Sequence, residues 1–195
     1  MNRSKSILEF RVVVAQEGQV SNALDIRRRV YCPIGKLEPS SVQDEFDDRA
    51  THFIGANGNK WVSSARMVVD GGFFEMERYF DLSHFRRKGR CAEINRLAIL
   101  PEYRCSTVAY GMFRGFYRYA LANNIRYFCI VATPGFNSRM YLHLGFIQIG
   151  DTVVYKELNE LHNAYILDLK KGIDELRVKN PKIHECFLQP IDGIG

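Results

Sequence analysis

The chain has 195 residues, a formal net charge of +5, and a composition that is 46% hydrophobic and 25% charged. These proportions are those of an ordinary folded domain, so they exclude a disordered or fibrous chain. No apolar run approaches the roughly 18 residues needed to cross a bilayer, and the N-terminus lacks the apolar core of a secretory signal. We therefore expect a cytoplasmic protein with no integral membrane association, folded as a single domain over residues 1–195.

The net positive charge favours an acidic partner without identifying that partner. The five cysteines are an odd number and include no C-x-x-C pair, which argues against both a disulfide framework and a structural zinc site. The five histidines are separated by long intervals and lack metal-ligand spacing. We therefore expect reduced thiols and no metal.

Hydrophobic periodicity divides the chain into strands and helices. In chain order, the first half predicts a strand at 7–15, a helix at 19–31, a surface loop or broken helix at 32–48, and strands at 51–56, 61–69 and 91–100. The second half predicts a helix at 106–123, a buried strand at 127–132, a helix at 135–144, strands at 146–155 and 164–169, and a helix at 170–179 before a proline-containing tail. This order indicates a mixed α/β domain whose second half includes a locally parallel arrangement.

Four short motifs follow one another along these elements. They are Arg27 with Tyr31 on the first helix, Asp44-Glu45-Phe46-Asp47 in the long loop, Ser64-Ala65-Arg66-Met67 on a strand, and Glu93-Ile94-Asn95-Arg96 on a later strand. Their order resembles the R-x-x-x-[FY], D-x-[FY]-D, small-x-R-[LM] and E-x-x-R pattern of one branch of the GNAT superfamily. That branch contains the acyl-homoserine-lactone synthases and the long-chain N-acyl amino acid synthases.

The resemblance covers nearly the whole chain, and it implies a GNAT-like mixed, mostly antiparallel sheet flanked by helices. Lactone synthases commonly carry a tryptophan between the helix motif and the acidic motif, whereas residues 31–43 here read YCPIGKLEPSSVQ. The sequence therefore looks most like the long-chain N-acyl tyrosine synthase type, whose acyl donor is held on acyl carrier protein.

A further departure concerns the acyl donor. The run Arg104-Cys105-Ser106-Thr107-Val108-Ala109 stands where GNAT enzymes hold coenzyme A with an [RQ]-x-x-G-x-[GA] loop, and Thr107 replaces the middle glycine. A side chain there obstructs close backbone approach to a pyrophosphate, although the helix N-terminus is still able to bind one phosphate. This pattern favours phosphopantetheine on a carrier protein, with no permanently bound cofactor. The alternative is that Thr107 only caps the helix. The resemblance assigns four residues to the donor: Leu97, Ile99, Arg104 and Thr107.

Two residues are candidates for proton transfer. Glu93 lies in an apolar strand, where burial favours a carboxyl group that accepts the ammonium proton directly or through water. The alternative is a structural ion pair between Glu93 and Arg96. Tyr141 lies in a segment that resembles the GNAT N-x-x-x-Y-x-x-x-G-F motif, whose tyrosine protonates the departing thiolate; its alternative is ordinary helix packing. The resemblance also predicts a β-bulge near residues 95–97.

Charged residues supply the candidate binding groups. We expect six residues to hold the acceptor or close the loop over it, or else to form solvated surface pairs: Arg27, Tyr31, Asp44, Asp47, Arg66 and Arg96. Four basic residues are candidates for docking acyl carrier protein, with a solvated basic loop as the alternative: Arg86, Arg87, Lys88 and Arg90.

The leading hypothesis is an acyltransferase that moves a long fatty acyl chain from acyl carrier protein to the α-amine of an amino acid, tyrosine by resemblance. One alternative is a lactone synthase that uses S-adenosylmethionine. Another is a non-catalytic basic module that binds nucleic acid, although the chain carries no recognisable nucleic-acid motif and we expect no such partner.

Overall fold

The computed structural model describes residues 10–104, 106–155 and 159–188. The start of the first predicted strand, Cys105 and the tail from residue 189 lie outside the described residues. Within the described part, the strands are β1 (Phe10–Val14), β2 (Thr51–Asn57), β3 (Lys60–Val69), β4 (Cys91–Ile99), β5 (Tyr127–Ala132), β6 (Ile147–Tyr155) and β7 (Glu160–Asp168). The α-helices are α1 (Val20–Tyr31), α2 (Ser83–Arg86), α3 (Ser106–Ala122), α4 (Phe136–His143), α5 (Leu169–Lys179) and α6 (Pro181–Leu188).

The strands pair in the order β1-β2-β3-β4-β5-β7-β6. Strand β4 runs parallel to β5, whereas the pairs β1–β2, β2–β3, β5–β7 and β6–β7 are antiparallel. The seven-stranded, mostly antiparallel sheet with flanking helices confirms the predicted fold class.

Local sequence explains several element boundaries. The β2–β3 hairpin turns through Gly58, whose φ of 58° suits a residue without a side chain. Helix α3 is followed by Asn124 in the left-handed region, with a φ of 54°. The predicted loop at 32–48 contains short 3-10 turns at Cys32–Ile34 and Pro39–Ser41, as expected for a broken helix.

Strand β7 and helix α6 differ from the sequence prediction by more than one or two residues. Strand β7 begins at Glu160 rather than at residue 164. The sequence did not predict its first residues because they include the polar residues His162 and Asn163 and lack an apolar run. Helix α6 occupies part of the predicted tail. Its first residue is Pro181, a favourable position for proline, and the side chain of Asn180 accepts a hydrogen bond from the N–H of Ile183.

Backbone contacts divide the chain into two compact units. The first unit contains Arg96–Tyr119 and the described residues up to Met67. Its core includes an edge-to-face pair between Phe53 and Phe116, whose ring centroids are 5.0 Å apart. A cluster of Ile26, Val30, Ala98 and Leu100 packs α1 against the end of β4.

The second unit contains Val68–Asn95 and the described part of Ala120–Gln189. Strand β5 is almost wholly buried in it, as its uniformly apolar sequence predicts. Residue Tyr127 of that strand packs edge-to-face on Phe85, with ring centroids 5.5 Å apart. None of the described helices is long and apolar enough to cross a membrane.

Candidate active site

The acidic loop of the first unit is fastened by arginines from three elements. Asp44 accepts hydrogen bonds from Arg66 Nη1 on β3 and, at 2.8 Å, from Arg96 Nη2 on β4. Asp47 accepts one from Arg27 Nη1 on α1 at 2.6 Å and lies 3.1 Å from Arg66 Nη1. Two carboxylates thus tie α1, β3 and β4 to one loop.

Hydrogen bonds within the acidic loop also stabilise its turn. Asp47 Oδ2 accepts the N–H of Asp44 at 2.9 Å, and Asp44 Oδ1 accepts the N–H of Phe46 at 2.9 Å. The ring of Phe46 lies under the guanidinium of Arg66, with its centroid 5.5 Å from Cζ. Both aspartates therefore use side-chain oxygens for the arginines and for the backbone of the loop.

Burial sets the electrostatics of this cluster. The side chains of Arg27 and Arg66 are fully buried, so these are not solvated surface pairs. Burial by itself would raise the pKa of Asp44, but the hydrogen bonds and charges of Arg66 and Arg96 outweigh it and lower the pKa to about 2. Burial lowers the pKa of Arg27, and Asp47 opposes that shift.

His52 joins the network, although no sequence motif pointed to it. Its Nδ1 lies 3.2 Å from Arg27 Nη2, and its Nε2 lies 3.3 Å from the carbonyl oxygen of Asp47. Because a guanidinium only donates, Nδ1 must accept, and Nε2–H then donates to the carbonyl. Burial, together with the charge of Arg27, lowers the pKa of His52, which favours this neutral form.

The backbone of β4 departs from regular strand geometry at Arg96, whose φ is 54°. A positive φ is unfavourable for a residue with a side chain, and the pairing of Arg96 with Asp44 helps to hold it there. The irregularity lies within residues 95–97, where the GNAT resemblance predicts a bulge.

The predicted donor residues of the first unit lie at the end of β4 and the start of α3. The carbonyl oxygen of Leu97 accepts a hydrogen bond from Tyr31 Oη at 2.7 Å, and that of Ile99 accepts one from Arg104 Nε at 3.3 Å. Burial raises the pKa of Tyr31, which keeps its hydroxyl protonated and able to donate. Thr107 is exposed in the first turn of α3.

Glu93 lies in the second unit and is only 2% exposed. Its Oε2 accepts the backbone N–H of Glu75 at 2.8 Å, and its Oε1 accepts that of Met76 at 2.9 Å. Two such donors stabilise the charged carboxylate and oppose the effect of burial on its affinity for a proton. The sequence predicted the burial of Glu93 and missed these two donors.

Tyr141 lies on α4 and is also buried, with 7% of its surface exposed. Its ring packs on Phe146 and on Tyr165, at centroid distances of 5.8 Å in both cases. The ring is therefore held by packing, and its assignment as a proton donor stays a prediction. The side chain of Asn137 lies outside the described part of the chain.

The four basic docking candidates divide into two groups. Arg86 is engaged with carboxylates of its own unit, at 2.6 Å from both Asp70 Oδ1 and Glu77 Oε2. Arg87, Lys88 and Arg90 are exposed. Lys88 Nζ lies 2.8 Å from His84 Nε2, and Arg90 Nη1 donates to the carbonyl oxygen of Asn123 at 2.7 Å.

Comparison with known proteins places the chain in a family. The family model described as N-acyl amino acid synthase FeeM matches residues 22–168. The chain belongs to the FeeM family of N-acyl amino acid synthases. It is accordingly an acyltransferase, which confirms that part of the sequence hypothesis.

Solved structures agree with this assignment. The structure of FeeM, an N-acyl amino acid synthase from uncultured soil microbes, is 26% identical, covers 85% of this chain and 92% of its own, and has a TM-score of 0.72. MesI, a CoA-dependent acyl-homoserine lactone synthase, is 19% identical over 86% of this chain and 94% of its own, with a TM-score of 0.65. A polyamine N-acetyltransferase of Drosophila melanogaster is 12% identical over 82% and 99%, with a TM-score of 0.66. The last two show a shared GNAT fold. No curated protein sequence matches the chain.

In this FeeM-family enzyme, the motif residues were visible in the sequence, whereas the partners of Arg86 and Glu93 were not. The carboxylates that hold Arg86 and the amides that hold Glu93 come from residues 70–77, a segment of glycines and aromatics without a periodic pattern. Among the described residues, no group of three or more His, Cys, Asp or Glu side chains is arranged to hold a metal ion.

Proposed function

We propose that the enzyme transfers a long-chain fatty acyl group from acyl carrier protein to the α-amine of an amino acid, tyrosine, and releases an N-acyl amino acid. Membership of the FeeM family is the observation that carries this proposal. Tyrosine as acceptor and the carrier protein as donor extend the resemblance to the long-chain N-acyl tyrosine synthases.

The chemistry needs an unprotonated amine, a polarised thioester carbonyl and a leaving thiolate that gains a proton. In the proposed reaction the amine nitrogen forms a bond to the thioester carbon, and the carbon–sulfur bond of the donor breaks. Glu93 accepts the proton that the amine loses, directly or through water. Tyr141 donates a proton to the thiolate, for which a phenol with an ordinary pKa of about 10 is suited.

The acidic loop supports an acceptor-binding role. Asp44 and Asp47 are held by Arg27, Arg66 and Arg96, so ion pairs fasten the loop to three elements of the first unit. A fixed loop of this kind lowers the ordering cost of binding a small substrate. We assign these five residues, with Tyr31, to acceptor binding and loop closure.

The donor assignment rests on the start of α3 and on the basic residues after α2. We assign Leu97, Ile99, Arg104 and Thr107 to the phosphopantetheine of the donor, because a helix N-terminus with a nearby arginine suits a single phosphate. The exposed residues Arg87, Lys88 and Arg90 are available for an acidic carrier protein.

The proposed reaction is tested with the purified enzyme. Each of the twenty amino acids is offered with the same acyl group on acyl carrier protein and on coenzyme A, and the products are identified by mass spectrometry. We expect N-acyl tyrosine from the carrier-bound donor. Formation of methylthioadenosine and a lactone from S-adenosylmethionine would replace this proposal with a lactone synthase, and an absence of any acylated amine would overturn it.

A further inference from the structure

Arg86 binds both ends of one short segment of the second unit. Its Nε and Nη2 donate to Glu77 Oε1 and Oε2 at 2.9 and 2.6 Å, in the two-pronged geometry that suits a guanidinium and a carboxylate. Its Nη1 donates to Asp70 Oδ1 at 2.6 Å, and Nη2 also donates to the carbonyl oxygen of Gly72 at 2.9 Å. One side chain thereby joins the start and the end of residues 70–77.

The same segment supplies the two amides that hold Glu93. The N–H groups of Glu75 and Met76 donate to its two carboxylate oxygens. The N–H of Phe74, the residue before Glu75, donates to Glu77 Oε2 at 2.8 Å. The carboxylate that Arg86 binds therefore also holds the backbone next to the two amides that donate to Glu93.

Two further contacts stabilise this arrangement, and the first of them ties it to β4. Asp70 Oδ2 accepts the N–H of Cys91 at 2.7 Å, two residues before Glu93 on the same strand. The guanidinium of Arg86 also lies over the ring of Phe74, with Cζ 4.0 Å from the ring centroid, and Phe74 is fully buried. Burial works against the charge of Arg86, but the hydrogen bonds and charges of Glu77 and Asp70 outweigh it and raise the pKa of Arg86.

We propose that Arg86 is a positioning residue for Glu93, which acts by holding residues 70–77 so that the amides of Glu75 and Met76 stabilise the carboxylate. The inference rests on the proposed role of Glu93 as proton acceptor. It separates Arg86 from its exposed neighbours Arg87 and Lys88, with which the sequence grouped it for docking. Loss of the guanidinium releases the segment, removes the N–H donors and raises the affinity of Glu93 for a proton.

Kinetics of three variants distinguish positioning from docking. We expect Arg86→Gln to lower kcat ~10- to 100-fold with KM for the acyl donor within ~2-fold, and to move the acid limb of the kcat–pH profile to higher pH. Arg86→Lys keeps the charge but lacks the two parallel N–H donors that bind Glu77, so it fails to restore kcat. The exposed Arg177 on α5 supplies the matched control, Arg177→Gln, for which kcat and the profile stay unchanged. A higher KM with wild-type kcat in Arg86→Gln, restored by Arg86→Lys, overturns the proposal.

A measurement without substrate separates this inference from the proposed function. The carboxyl carbon of Glu93 is titrated by ¹³C NMR in the wild type and in Arg86→Gln, with Glu93→Gln used to assign the signal. We expect a higher titration midpoint in Arg86→Gln, and an unchanged midpoint overturns the proposal. If Arg86→Gln does not fold, Glu77→Gln takes its place with the same expected direction. Full activity of Glu93→Gln would instead refute the proton-acceptor role and leave the titration result standing.

Discussion

A single substitution distinguishes the packing role of the Tyr141 ring from the proposed role of its hydroxyl as a proton donor. Its ring is buried against Phe146 and Tyr165, so removal of the hydroxyl leaves these ring contacts in place. We expect Tyr141→Phe to slow release of the thiolate and lower kcat by ~10-fold or more. Single-turnover kinetics would measure the effect on the chemical step.

The matched control for Tyr141 is Tyr165→Phe on β7, which removes a buried hydroxyl that accepts a hydrogen bond from Asn163 Nδ2 at 3.1 Å. That change is expected to lower stability through the unpaired amide. Wild-type turnover in Tyr141→Phe would assign Tyr141 to packing alone.

The buried cluster makes the stability of the fold depend on pH through His52. Burial and Arg27 lower its pKa below the ordinary value of 6.5. The unfolded chain binds a proton near pH 6.5, whereas the folded chain binds it only at lower pH. The stabilising contribution of neutral His52 is therefore complete above about pH 6.5. It declines as the pH falls toward the folded-state pKa.

Denaturant titrations from pH 8 to pH 5 test this contribution of His52. We expect the free energy of unfolding of the wild type to fall below pH 6.5 more steeply than that of His52→Gln, by at most about 1.4 kcal/mol per pH unit for one proton. The other histidines are common to both proteins and cancel in the difference. Parallel curves for the two proteins would exclude His52 as the titrating group.

At the scale of elements, the acidic loop depends on charges that are buried in pairs. Asp47→Asn keeps the shape of the side chain but removes the negative charge beside fully buried Arg27. An uncompensated buried charge costs about 3–5 kcal/mol, so we expect a loss of stability of that size. The change is measured by chemical denaturation at neutral pH.

Asp25 on α1 provides the control for Asp47. It is exposed and lies 3.9 Å from both Arg28 and Arg29. We expect Asp25→Asn to cost less than about 1 kcal/mol, because solvent screens exposed pairs. Equal losses in the two variants would show that burial does not set the strength of the Arg27–Asp47 pair.

The elements also show what the sequence was able to predict. The sequence predicted a charged network with Asp44 and Asp47, because three arginines in core elements are unusual without acidic partners. The sequence did not predict the role of His52, because a single histidine in an apolar strand leaves no periodic signal. It placed Arg86 with the docking residues, because a run of basic residues does not reveal which of them faces carboxylates 9 and 16 residues earlier in the chain.

At the scale of the whole molecule, charge bears on the choice of acyl donor. The chain carries a net charge of +5, and Arg87 and Lys88 are exposed next to each other after α2. If acyl carrier protein is the donor, its thioester is used better than the same acyl group on coenzyme A. The advantage then shrinks as salt screens the docking charges, since the Debye length falls to about 3 Å at 1 M.

Charge reversal tests this choice of donor. We expect the double variant Arg87→Glu, Lys88→Glu to raise KM for the carrier-bound donor ~10-fold or more, with kcat nearly unchanged, because docking contributes equally to ground-state and transition-state binding. The control reverses Arg177 and Lys182, two exposed basic residues on α5 and α6, and thus changes the net charge equally. A similar rise in KM in both double variants would show that net charge, rather than a docking site, weakens use of the carrier-bound donor. Equal use of both donors without a salt effect would identify coenzyme A thioesters as sufficient substrates for this FeeM-family enzyme.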